Sequence, residues 1–145
     1  SRRFDVHAKS DRLIYIDDYA HHPREIEASL SSIREMWPDK RLTVAFQPHL
    51  YSRTNDFYPE FAKSLNLADQ VILLDIYPAR EQPIPGVTSG LIAERLTVPF
   101  VWVTKEEFPE YVKENVKEGI FMTVGAGDID RFIPIFTEMF GGTDC

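Results

Sequence analysis

Residues 17–23 read DDYAHHP and follow the apolar run LIYI at 13–16. Two carboxylates, a phenol and two imidazoles thus stand where a strand should turn into a helix. Side chains of these types can move protons, accept a ribose hydroxyl or ligate a divalent metal. A second concentration, QPHLYSRT at 47–54, follows LTVAF and carries His49, Tyr51, Ser52, Arg53 and Thr54. A third, DIYPARE at 75–81, follows QVILL and adds Asp75, Tyr77, Arg80 and Glu81. Each piece also has an unreactive reading. Asp17 or Asp18 could cap the next helix, His21 could be a core histidine bonded to backbone, and Arg53 and Arg80 could be surface ion-pair partners.

Two chemistries compete on the residues alone. In one, Asp17, Asp18, His21, His22 and His49 hold a divalent metal for a self-contained phosphohydrolase, although their spacing matches no common metal signature. In the other, the residues form a binding surface, with arginine for a carboxylate or phosphate and aspartate for a ribose hydroxyl. Arg53 and Arg80 favour the second, with an anionic ligand. GAGD at 125–128 offers only a G-x-G, a weak dinucleotide signal, and the chain has no Gly-Lys pair and so no triphosphate-gripping loop.

The elements that must position these residues alternate regularly. Phe4, Val6 and Ala8 alternate with polar residues, and a Lys9-Ser10-Asp11 turn leads into the strand at 13–16, so the chain opens as an antiparallel hairpin. Pro23 starts a helix in which Ile26, Leu30 and Ile33 keep helical spacing up to Trp37-Pro38. Strand 42–46 precedes a helix expected at 57–68, where Phe57, Phe61 and Leu65 share a face. The run at 70–77 is the most continuous apolar segment and reads as a central parallel strand buried on both faces. A proline-rich loop, a helix at 88–96, a strand at 99–103, an acidic-faced helix from 105, a strand and glycine turn at 119–127 and a last helix capped by Asp128 complete the pattern. The expectation is an α/β fold: a three-layer, mostly parallel sheet of about six strands with helices on both faces, Rossmann-like, plus the antiparallel N-terminal strand. Ligands of such sheets bind beyond the carboxyl ends of the strands, where all three polar concentrations fall.

The 145 residues suit one domain, 1–145, and the net charge of −7 opposes a nucleic-acid partner. A single cysteine, Cys145, excludes an internal disulfide framework and fits a reducing compartment. No apolar stretch reaches the ~20 residues of a membrane span, so neither a membrane partner nor a secreted location is expected. The absence of an initiator Met and a tail, GGTDC, expected to fray suggest a fragment of a longer chain.

Four motifs taken together, DDYAHHP with Glu25-Ile26, FQPHLYSRT at 46–54, DIYPARE with PI and GV up to 87, and VGAGDI at 124–129, resemble the C-terminal domain of the Mur ligases of bacterial peptidoglycan synthesis. The match is to the branch that joins L-alanine to UDP-N-acetylmuramate. The resemblance implies a cytoplasmic, ATP- and Mg2+-dependent enzyme of three domains, of which this is the last. The phosphate loop and metal ligands would lie on the missing central domain, leaving this fragment inactive alone and without a tightly bound cofactor. It further implies Asp17 and Asp18 near the ATP ribose, and Tyr19, His21, His49 and Arg53 around L-alanine, with His22 and Arg80 as secondary candidates. Many family members carry arginine where this chain has Leu50, so one cation of that pocket is absent or supplied elsewhere. A stand-alone nucleotide or amino-acid binding module is the remaining alternative.

Overall fold

The computed structural model describes residues 4–141. The expected frayed tail after Gly141, and Cys145 with it, lies outside them. One six-stranded sheet has the spatial order β1-β2-β6-β3-β4-β5. Its strands are β1 (Asp5–Lys9), β2 (Leu13–Asp18), β3 (Leu42–Phe46), β4 (Gln70–Leu73), β5 (Phe100–Trp102) and β6 (Gly119–Val124). β1 is antiparallel to β2, and every other pairing is parallel. The α/β expectation and the opening hairpin therefore hold.

Period-two alternation divides the strand side chains between two cores. Ile14, Ile16, Leu42, Val44, Phe46, Val71, Leu73, Ile120, Met122 and Val124 face one layer. Leu13, Tyr15, Ala45, Ile72 and Phe121 face the other. The first layer holds α1 (Pro23–Met36), α2 (Tyr51–Leu65) and α3 (Gly90–Ala93); the second holds α4 (Phe108–Asn115), a 3-10 turn (Asp128–Phe132) and α5 (Ile133–Gly141). On α1, Ile26, Leu30 and Ile33 are fully or almost fully buried. Truncating any of them to alanine should cost about 2–5 kcal/mol. Pro23 occupies the first turn of α1, where its missing N–H is harmless, and Glu25 Oε1 accepts the His21 and His22 N–H groups at 3.0 and 3.1 Å.

Six expectations need correction. Phe4, Val6 and Ala8 do not share a face: the register shifts between Val6, opposite Ile16, and Ala8, opposite Tyr15. A bulge of one residue there sends Ala8 to the second core while Phe4 packs on the first. The most apolar strand, β4, is not central, because β6, last in sequence, takes the middle between β2 and β3. Burial on both faces demands an apolar strand, and β4 has it beneath its helices without a central place. Pairing of β4 stops at Leu73, although Leu74 N–H still donates to Phe46 O at 3.0 Å and His49 bridges Tyr77 farther on. The second helix starts at Tyr51, six residues before Phe57, and α3 is only four residues long because it tightens into i→i+3 turns at Arg95 and Leu96. Asp128 does not cap the last helix: its carboxylate takes Gln47 Nε2 and Lys105 Nζ, both at 2.7 Å.

Among the described residues, no helix is long and apolar enough to cross a membrane.

Candidate functional site

Because β2, β6, β3 and β4 run parallel, their carboxyl ends share one edge, and the three polar segments meet there. The turn after β3 is tied to the loop after β4 by backbone. Leu50 N–H donates to Tyr77 O at 2.9 Å, and Tyr77 N–H donates to Pro48 O at 2.8 Å. The His49 and Tyr77 rings stack at 5.8 Å, 13° from parallel. The first segment closes in from the β2 side, with the His21 and His49 rings edge to face at 6.3 Å and Tyr19 against His21 at 5.5 Å. Tyr19 is 41% exposed, the most open side chain of the group.

Arg53 lies on the first turn of α2, one turn beyond His49. Its Nη1 stands 3.2 Å from His49 Nδ1 and donates to it. A guanidinium has only protons to offer, so His49 Nδ1 must accept and its remaining proton must sit on Nε2. Burial pushes the His49 imidazole below its ordinary value, the nearby Arg53 and His21 push the same way, and Glu81 opposes them weakly. His49 is therefore a neutral donor through Nε2–H beside a permanent cation. Such a pair is suited to a carboxylate, which a guanidinium can hold with two parallel bonds.

The first segment is organised differently. Asp17 and Asp18 are fully buried. Thr123 Oγ–H donates to Asp17 at 2.8 Å, and Tyr15 OH reaches the same Thr123 oxygen at 2.9 Å. Asp18 accepts the Ala20 N–H at 3.0 Å through one oxygen and the Ser29 hydroxyl through the other. Both carboxylates thus look into the protein, and Asp18 fixes the turn onto α1. His21 Nδ1 lies 3.2 Å from Tyr19 O and 3.6 Å from Glu25, leaving Nε2 for the open side. His22 turns away and packs on Phe57 at 5.1 Å. Arg80 is exposed, and no described residue pairs with it. The edge therefore gathers Tyr19, His21, His49 and Arg53, holds Asp17 and Asp18 beneath the surface, and leaves His22 and Arg80 apart.

Metal ligation by Asp17, Asp18, His21, His22 and His49 is not supported by this placement: among the described residues, no three His, Cys, Asp or Glu side chains gather as a metal site. The glycines of GAGD serve packing. A Cβ at Gly127 would meet Gln47 Oε1 at 2.5 Å and Tyr77 Cγ at 2.6 Å, and Gly125 has φ +150°.

Two residues of the third polar concentration take places that the sequence leaves unassigned. Tyr77 forms the wall behind His49, and Glu81 reaches across the site, accepting the Ser52 N–H at 3.0 Å and the Ser52 hydroxyl. The hydrogen bonds from Ser52 hold the Glu81 carboxyl below its ordinary value. A signal existed: Leu50, just before α2, has no capping side chain, and the first turn has no acidic residue, so the cap had to come from elsewhere.

Residues 2–127 match the family described as "Mur ligase, glutamate ligase domain". A UDP-N-acetylmuramate–L-alanine ligase of Phocaeicola vulgatus is 53% identical over 135 residues, 92% of this chain and 29% of that protein. The ligase of the same name from Parabacteroides distasonis is 50% identical over 138 residues, 95% of this chain and 30% of that protein. The crystal structure of the UDP-N-acetylmuramate–alanine ligase of Thermotoga maritima superposes with a TM-score of 0.72 at 30% identity, over 94% of this chain and 29% of that one. The chain thus spans under a third of the length of these relatives.

Proposed function

The chain belongs to the Mur ligase family, and from that premise we propose that it is the C-terminal domain, 1–145, of a three-domain cytoplasmic ligase that joins L-alanine to UDP-N-acetylmuramate using ATP. A carboxylate anion resists nucleophiles, so the muramoyl carboxyl is first phosphorylated. The alanine amine then attacks the acyl phosphate, and phosphate leaves. The observation that carries the reading is the Arg53–His49 pair at the carboxyl edge, 3.2 Å apart. It presents a fixed cation and a neutral N–H donor to one anionic group, the α-carboxylate of alanine. Held there, the amine is brought toward the activated carbonyl, and the ordering of the two reactants supplies much of the rate enhancement. Tyr19 and His21 form the rim of the same pocket.

The nucleotide lies toward the 17–22 turn. Asp18 supports it from below, so a ribose hydroxyl reaches that carboxylate only by taking the place of the Ser29 hydroxyl, and Asp17 steadies the strand end through Thr123. Magnesium, which neutralises phosphate charge when bound, is assigned to the part of the enzyme beyond this chain, together with the phosphate grip and the UDP-sugar site. Closure of this edge on those domains excludes water that would hydrolyse the acyl phosphate.

The experiment is steady-state kinetics on the full-length enzyme. Arg53→Ala should raise the alanine KM at least about tenfold, as expected for loss of a charge-assisted partner, with ATP KM nearly constant. Arg53→Lys should recover only part, since an ammonium keeps the charge without the fork. Asp18→Asn should move the ATP KM rather than the alanine KM. Normal alanine kinetics in Arg53→Ala would overturn the pocket assignment.

A further inference from the structure

We infer that Glu81 is a positioning residue for the amino-acid pocket: from the loop after β4 it caps α2 across the site and so aims Arg53. The inference rests on the ligase reading above and deepens it. A helix start leaves up to four N–H groups without intrahelical partners. Leu50 at the cap position of α2 offers no side-chain acceptor, and the first turn contains no acidic residue. Glu81 supplies what is missing, with both carboxylate oxygens engaged on Ser52. A carboxylate at this end also suits the helix dipole.

The same loop grips the other side of the turn, where Tyr77 O accepts the Leu50 N–H at 2.9 Å. Between the two grips Leu50 sits at φ +77°, ψ 136°. A leucine does not hold that conformation unaided; surrounding bonds must impose it. His49 precedes this residue directly and Arg53 follows three later, so the direction in which the pair projects depends on the clamp. A carboxylate so close to two cationic or donor groups could instead compete with the substrate for Arg53. The geometry opposes that, because no bond joins Glu81 to Arg53 and its oxygens are spent on Ser52. Removing Glu81 should therefore weaken amino-acid binding rather than tighten it.

The test compares Glu81→Ala, Glu81→Gln and Arg53→Ala in the full-length enzyme. Glu81→Ala should raise the alanine KM about fivefold, in line with loss of a helix cap, with kcat and ATP KM changed less than about twofold. Glu81→Gln keeps an acceptor for Ser52 and should recover most of the loss. In an Arg53→Ala background, Glu81→Ala should add nothing, because its effect runs through Arg53. An unchanged or lowered alanine KM overturns the inference, as does an equal rise for ATP and alanine, or a full additional rise on top of Arg53→Ala. Where Glu81→Ala reduces the folded yield, Ser52→Ala removes the hydroxyl half of the cap and should raise the alanine KM about twofold; no change overturns the inference equally. A raised KM in Arg53→Ala beside a normal Glu81→Ala enzyme removes the Glu81 role alone, whereas normal kinetics in Arg53→Ala removes the pocket reading itself.

Discussion

The turn at 17–22 and the turn at 47–53 have the same standing in the sequence: each follows a short apolar strand, each carries histidine and other polar groups, and each enters a helix. They use those groups in opposite ways. In the first, the charged side chains point inward and are consumed by Thr123, Ser29 and the backbone of Ala20. In the second, Arg53 and His49 stay half-buried at the surface and hydrogen-bond to each other, while the backbone beneath them is held in a conformation leucine disfavours. Polar residues at a strand end can thus be the mortar of a turn or the face it presents, and composition does not separate the two. Partner supply does: a carboxylate flanked by hydroxyls and N–H groups is satisfied internally, whereas a guanidinium whose nearest partner is an imidazole still lacks an anion.

Mutations should separate the two turns, and the largest effect belongs to the first. Asp18→Ala deprives the Ala20 N–H and the Ser29 hydroxyl of their acceptor in a fully buried place, and should lower stability by about 3 kcal/mol in urea unfolding of this chain. A loss below about 1 kcal/mol would show that the turn stands without it. Arg53→Ala should do the reverse, shifting the same unfolding curve by less than about 1 kcal/mol while producing the tenfold alanine KM effect in the full enzyme.

A smaller effect concerns pH. His49 has a folded value below 6.5, so the unfolded chain binds more protons than the folded one as pH falls toward and below 6.5. Its contribution to stability is present above that value and is lost as pH drops from 7 toward 5. Unfolding midpoints across this range should decline less in His49→Gln than in the unaltered chain. Glu81, Asp69 and Asp128 are also held low, but from ordinary values of 4.5, 3.8 and 3.8, so their losses come at more acidic pH and do not mask the histidine. The smallest effect is expected from Leu50→Gly. Relief of backbone strain worth about 1–3 kcal/mol is offset by glycine's entropy and the lost side-chain packing, leaving a net change below about 1 kcal/mol. A loss above about 2 kcal/mol would mean that the clamp holds the side chain rather than the backbone.

Strand β3 and helix α1 were legible in the sequence because local pattern and tertiary demand coincide there: LTVAF has both faces buried, and Pro23 with Ile26, Leu30 and Ile33 marks one helix and one apolar stripe. The start of α2 was not legible, since its cap lies 29 residues away in Glu81, and local reading therefore began the helix at Phe57. The bulge in β1 was hidden for a similar reason: alternation predicts faces only while pairing stays in register. The meeting of His21, His49 and Arg53 at one edge followed from parallel strands alone. The inward turn of Asp17 and Asp18 did not, because it depends on Thr123 and Ser29, which sequence offers only as ordinary hydroxyls.

The place of β6 bears on how the molecule comes into being. It separates β2 from β3, touching both, and it leaves the ribosome after the other five described strands. Until it arrives, the segments that carry Tyr19 with His21 and His49 with Arg53 have no common sheet to bring them side by side. The contacts that assemble the pocket join residues about 80 to 110 apart in sequence, as in the registers Ile16 with Met122 and Val44 with Met122, a topology that slows folding. Assembly of the proposed pocket thus waits on the insertion of β6, and a nascent chain stopped before Gly119 holds every proposed contact residue without the strand that joins their segments.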